Sequence, residues 1–209
     1  MSQPTVMYLV RHGATPHNEA RPVVLQGSGV DGPLSENGER QAQQVADSLS
    51  ALPLAAVYSS PMRRARQTGR MIAAPHGLDV ISVANLHEVN VGSWEGSSWS
   101  RIMEEDPENY RAFMDDPAET PYPGGESYRH VLQRVLPEFD RLFEEQAGRS
   151  FAVVAHSVVN RVYTAHLMRL ELRLVRGLRQ ENCCINVIRR QSDRTELITL
   201  NSVLHLPEF

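Results

Sequence analysis

The chain has 209 residues, 41% apolar and 22% charged, which places it among globular chains and outside the disordered, fibrous and membrane-spanning classes. Its formal charge of −4 offers no basic face for nucleic acid, whose affinity comes from neutralising phosphates. No run of about 18 apolar residues is present to cross a bilayer.

No basic, apolar leader opens the chain. The two cysteines, Cys183 and Cys184, are adjacent and read as reduced, buried thiols, so a cytoplasmic protein is expected. All 21 basic residues are arginine, which holds anions at two points where lysine offers one. Residues 5–10 form a short, partly β-branched apolar run, expected to be a buried strand that stops at Arg11-His12-Gly13. Residues 14–31 are polar and glycine-rich, hence a loop carrying Asn18, Gln26 and Gly27. Ser35 is placed to cap a helix that buries Ala42, Val45, Ala46 and Leu49. Residues 55–58 are a second buried strand. A helix then follows with Ser60 as its cap and Pro61 in its first position, which puts Arg63, Arg64 and Arg66 in the first two turns. Cations there oppose the helix dipole unless an anion joins them.

Residues 80–83 are a third candidate strand. From residue 86 to Pro123 the pattern is irregular, with one helix expected near 99–114, and it reads as a cap-like excursion at about 90–125 of a single domain spanning 1–209. Trp94, Trp99, Tyr110, Tyr122 and Tyr128 could line its mouth or pack it onto the sheet, and packing is the more common role; Glu104, Glu105, Asp106, Asp115 and Asp116 read as a solvated face. A long helix opens after Gly124-Gly125-Glu126-Ser127, with Pro137 expected to kink it. Residues 150–155 are a buried strand ending at His156-Ser157, another helix follows, and a hairpin of residues 184–188 and 196–200 closes the chain.

Strands alternating with helices imply an α/β fold with a mostly parallel sheet. In such a sheet ligands bind at the C-terminal strand ends. That edge would gather Arg11-His12, Ser59-Ser60 with the arginines behind them, and His156-Ser157.

With these residues in place, Arg11-His12-Gly13-Ala14-Thr15 plus Asn18 resembles the signature of the histidine phosphatase superfamily, in its phosphoglycerate-mutase-like branch. Ser59-Ser60-Pro61-Met62-Arg63-Arg64-Ala65 with Gln67-Thr68, Glu88 followed by Gly92 and Trp94-Glu95-Gly96, and Ala155-His156 resemble its further motifs, in order and spacing. The resemblance implies a three-layer α/β/α sandwich with a mostly parallel mixed sheet. It implies His12 as phosphate acceptor, Arg11, Arg64 and His156 as the phosphoryl pocket, and Glu88 as proton donor. Asn18, Gln26 and Gly27 resemble phosphate or substrate contacts, and Ser157 stands where the family commonly has glycine. It implies no metal and no cofactor; a His-Glu-x-x-His spacing is absent. The activity implied is phosphomonoester hydrolysis through a phosphohistidine, with a rate optimum on the acid-to-neutral side.

Two alternatives stand beside it: a phosphoglycerate mutase, and a non-catalytic phospholigand-binding protein of the same fold. Val89-Asn90-Val91 replaces the Arg-His-Tyr run that follows the glutamate in the mutases, and the sequence lacks the additional basic residues mutases use for a second acidic group; both favour hydrolysis. Arg161 and residues 180–188 resemble the α-ribazole-phosphatase-like subgroup. The expected partner is a small phosphorylated metabolite, with no nucleic acid and no membrane, and a homodimer is left open.

Overall fold

A computed structural model describes residues 3–207. The first half of the chain forms β1 (Thr5–Arg11), α1 (Pro16–Glu19), α2 (Glu36–Leu49), β2 (Leu54–Ser59), α3 (Arg63–Ala73) and β3 (Val80–Ser82). Two short helices follow, α4 (Trp99–Glu105) and α5 (Pro107–Asp115), then α6 (Tyr128–Glu145). The chain continues through β4 (Ser150–Ala155), α7 (Ser157–Met168), β5 (Ile185–Gln191) and β6 (Arg194–Ser202). The six strands make one sheet in the order β3-β2-β4-β1-β5-β6. The pairings β3-β2, β2-β4 and β4-β1 are parallel, while β1-β5 and β5-β6 are antiparallel.

Side-chain alternation in the strands separates two apolar layers. Met7, Leu9, Tyr58, Phe151 and Val153 face one side, where Val131, Val135 and Phe139 of α6 and Val159 and Val162 of α7 cover them. Val10, Val57, Ala152 and Val154 face the other, under Ala42, Val45 and Ala46 of α2 and Ala65 and Ile72 of α3. The result is the expected sandwich, with a mixed, mostly parallel sheet between helical layers. Among the described residues no helix is long and apolar enough to cross a membrane.

Several local expectations change. Ser35 does cap α2, accepting the Gly38 N–H at 3.0 Å. The loop after β1 contains the short α1, closed by a capping box between Thr15 and Asn18. The helix expected near 99–114 is two helices, because Asp106 leaves helical geometry and Pro107 starts anew. Helix α6 runs through Pro137 as a continuous element.

Ser60 does not cap α3. That helix begins at Arg63 behind Met62, and Ser60 turns toward His156 instead. Cys183 and Cys184 are both buried and free; burial raises both thiols, that of Cys184 to about 12, which keeps them inert hydrophobes.

Candidate active site

Parallel register fixes the site. Arg11 lies opposite Ala155 and Ser59 opposite Val154, so β1, β2 and β4 end together. His12 and Ser60, one residue beyond their strands, still hydrogen-bond to β4 through Ala155 O and Val154 O. His156 is the N-cap residue of α7. The imidazoles of His12 and His156 therefore meet, with ring centroids 5.1 Å apart and an edge-to-face tilt of 61°.

The turn after β1 is held backbone to backbone. A methyl group at Gly13 would lie 2.4 Å from Gly38 O, and one at Gly38 would lie 1.9 Å from Ala14 O. Side chains complete the clamp: Thr68 Oγ1 accepts from Gly13 N and Gln41 Oε1 from Ala14 N. This clamp sets the direction of the His12 ring.

Two contacts fix the tautomer of that ring. Nδ1 lies 2.7 Å from Gly13 O, a carbonyl that can only accept, so Nδ1 carries the hydrogen. Nε2 lies 3.2 Å from Arg64 Nε, which can only donate, so Nε2 presents its lone pair. Arg64 is buried and donates its other nitrogens to Val30 O and Gly27 O at 2.9 and 3.0 Å. Burial first, then Arg64 and Arg11, pushes His12 well below the ordinary histidine value, and burial, then Arg64 and the neighbouring His12, lowers His156.

In the unfolded chain these histidines titrate near 6.5. Their native pKa values are lower, so stability is full above that pH and falls as pH drops below it, because only the unfolded state takes up protons. Two such groups contribute up to roughly 2.7 kcal/mol per pH unit. Urea unfolding at pH 7.5, 6.5 and 5.5 is expected to show a declining midpoint, with a smaller decline in His12→Gln. An identical pH slope in that variant would refute the assignment.

A cavity of about 350 Å³ opens beside His12, while His156 and Arg64 are buried behind its wall. Arg11, His12, Asn18, Gln26, Glu88 and Ser157 all lie on its wall. Arg11 Nη1 donates to Gln180 O at 2.6 Å, and its Nε is buried without a protein partner. Asn18 is fixed by Thr15 and Asn182, and Gln26 Oε1 accepts from Thr15 Oγ1 at 2.7 Å. Glu88 accepts from the amides of Val89 and Val158 at 2.9 and 3.2 Å, so the start of α7 orients its carboxyl group. Gly27 stands behind the wall. Its carbonyl supports Arg64 and its amide is held by Glu95 at 2.7 Å.

Sequence reasoning brought Ser60 to this edge but read it as a helix cap, whereas its Oγ is 2.7 Å from His156 Nε2; it missed Arg176, which enters the cavity wall from the 3-10 turn Leu172–Gly177. Arg176 has no local signal and is brought in by the fold. Arg161 and Arg176 also correct the expectation that additional basic residues are lacking, since both line this cavity. The aromatic residues divide: Trp99, Tyr122 and Tyr128 face the cavity, while Trp94 is buried and donates to Asp106 at 2.9 Å, which takes Asp106 out of the solvated acidic face.

The sequence pattern of the histidine phosphatase superfamily (branch 1) matches residues 7–203. Phosphoserine phosphatase 1 of Hydrogenobacter thermophilus is 31% identical over 203 residues, covering 97% of this chain and 95% of that protein. The probable phosphoglycerate mutase GpmB of Escherichia coli is 31% identical over 180 residues, covering 86% of this chain and 82% of that one. A solved structure, the putative alpha-ribazole-5'-P phosphatase of Escherichia coli K-12, superposes with a TM-score of 0.85 at 29% identity, over 95% of this chain and 96% of that one.

Proposed function

This chain belongs to branch 1 of the histidine phosphatase superfamily, and from that premise we propose that it is a metal-independent phosphatase that hydrolyses a small phosphomonoester through a phosphohistidine on His12. The observation that carries this reading is the protonation geometry of His12. A neutral ring, with Nδ1–H tied to a carbonyl and the Nε2 electron pair turned toward the Arg64 guanidinium, is a nucleophile aimed at an anion.

An entering phosphoryl group comes between Arg64 and Nε2, and exchanges that contact for charge-assisted bonds to Arg64 and Arg11. Nε2 attacks phosphorus, the bond to the leaving oxygen breaks, and Glu88 supplies that oxygen with a proton. The ring becomes cationic, and the Gly13 carbonyl at Nδ1 stabilises it. Water then attacks phosphorus, returns a proton to Glu88, and releases phosphate and neutral His12. Charge spreads over three phosphoryl oxygens in each transfer, and preorganised donors lower that barrier without reorganising.

Ser60 supports the role of His156. Its Oγ accepts from Met62 N at 3.3 Å, which frees its proton for His156 Nε2 and leaves Nδ1–H, buried without a protein partner, for a phosphoryl oxygen. Because His12 stays neutral below its ordinary pKa, the nucleophile keeps its electron pair in mild acid, in keeping with an acid-to-neutral optimum. In this reading Asn18, Gln26 and Ser157 contact the ester, Gly27 acts through Arg64, and residues at about 90–125 are the cap of a single domain.

A p-nitrophenyl phosphate assay with chelator present, joined to acid- and base-quenched detection of phosphoprotein, tests the proposal. Chelator-resistant turnover with an acid-labile, base-stable phosphoprotein is the expected result. Inactivity on a broad panel of phosphoesters with phosphate still bound would replace it with a non-catalytic binding protein. Isomerised product that requires a bisphosphoglycerate primer would replace it with a mutase.

A further inference from the structure

Arg64 forms no ion pair among the described residues. Two neutral carbonyls, Val30 O and Gly27 O, hold its terminal nitrogens at 2.9 and 3.0 Å. Both belong to residues 26–34, between α1 and α2, which lie in no helix or strand. A guanidinium is placed no better than the acceptors it donates to, so whatever fixes this stretch also fixes Arg64.

Backbone bonds fasten the stretch only in part. Leu25 N donates to Ser97 O and Gly96 N to Leu25 O, both at 2.9 Å, and Ser28 N reaches Val89 O at 3.0 Å. The amides of Gly27 and Gly29 turn instead to one side chain. Glu95, just after the 3-10 turn Gly92–Trp94, accepts from Gly27 N at 2.7 Å through Oε1 and from Gly29 N at 3.0 Å through Oε2. Amides only donate, so both oxygens act as acceptors, and bonds to an ionised group are about twice as strong as neutral ones. The fit is close: a methyl group at Gly27 would lie 2.6 Å from Val89 O and 2.9 Å from Glu95 Oε2. Glu88, Asp31 and Glu95 act on Arg64 through space. A carboxylate in direct contact with Arg64 would compete with an entering phosphoryl group. One that acts through the loop places the guanidinium without neutralising it.

We propose that Glu95 is a positioning residue for phosphoryl transfer: its carboxylate, by tying the amides of Gly27 and Gly29, aims Arg64 at the phosphoryl group and at Nε2 of His12. This deepens the phosphatase reading and rests on it.

Glu95→Gln keeps the size of the side chain but turns a donor toward one of the two amides. Its kcat/KM for p-nitrophenyl phosphate is expected to fall by roughly tenfold or more, within the range that a misplacement of about 1 Å produces. Arg64 helps to hold His12 below its ordinary value, so a displaced Arg64 lets that value rise, and the acid limb of kcat/KM moves to higher pH. Arg11 and His156, the other charged or titratable groups that face His12, are untouched by the substitution. Gly29→Ala, whose methyl would lie 2.8 Å from Glu95 Oε2 at an exposed position, dislodges the same carboxylate without deleting it and should move both readouts the same way by less. Arg64→Met removes the group that Glu95 acts through, so adding Glu95→Gln to it should cost less than about twofold. Equal losses from Glu95→Gln with and without Arg64, or an acid limb that stays in place in both Glu95→Gln and Gly29→Ala, would overturn the proposal. The acid limb decides alone should Arg64→Met fail to fold. Calorimetric binding of inorganic phosphate repeats the comparison of wild type, single and double variants without turnover. An inactive wild type whose phosphate binding couples residues 64 and 95 sinks the phosphatase reading and keeps the tie; an active enzyme in which the two losses simply add does the reverse.

Discussion

The His12→Ala protein is expected to fold, to retain phosphate binding, and to lose turnover by on the order of 10⁴-fold or more, the scale seen when a covalent nucleophile is deleted. The loss follows from the single electron pair the site offers to phosphorus. His156 cannot substitute, because its Nε2 is held by Ser60 at 2.7 Å and its ring lies edge-on to that of His12. Folding should survive, since the cavity adjoins the vacated ring and solvent can reach Arg64 through it. The measurement is kcat/KM for p-nitrophenyl phosphate beside phosphoprotein detection. Retained turnover, or a phosphoprotein that persists in the variant, would exclude His12 as acceptor.

Gly38→Ala should destabilise the protein by about 3 kcal/mol or more, near the upper range for forced overpacking. Intrinsic propensity predicts the opposite sign, because alanine replacing glycine inside a helix gains about 1 kcal/mol. The added methyl would lie 1.9 Å from Ala14 O and 2.8 Å from Ala14 C and N, all backbone atoms of the turn that carries His12. Nothing there is a flexible side chain that can swing away. Thermal unfolding should fall by roughly 6–12 °C for a chain of this size, and kcat should fall with it as the turn moves. Gly177→Ala, where the methyl meets nothing within 4 Å, is the comparison and should change little. A Gly38→Ala protein as stable as wild type would refute the clamp.

The strand ends were legible because each buried run, at residues 5–10, 55–58 and 150–155, breaks at polar residues, and parallel pairing then brings the breaks to one edge. Arg11, His12 and His156 follow from that rule alone. Glu88 does not; it lies in a coil, came only from the resemblance, and is seated by amides of Val89 and of Val158, the latter 70 positions away. Ser60 misled because a serine before proline is a sound helix start locally, whereas the imidazole 96 positions later offers its hydroxyl a better partner. The break at Asp106 was blurred by apolar spacing that runs through it. Arg176 looks like any arginine of a polar turn, and only packing against Trp99 brings it to the cavity.

Strand β1 lies between β4 and β5, so the segment that bears His12 is completed by residues about 170 positions later in the chain. Gln180 accepts from Arg11, Asn182 Nδ2 donates to His12 O at 3.0 Å, and Cys183 N reaches Arg11 O at 3.0 Å. A nascent polypeptide therefore exposes this imidazole well before residues 180–183, which seat it, have been made. If the phosphatase proposal holds, competence waits on residues 180–183 beside the β5–β6 hairpin, which makes activity a late reporter of the folding of this domain.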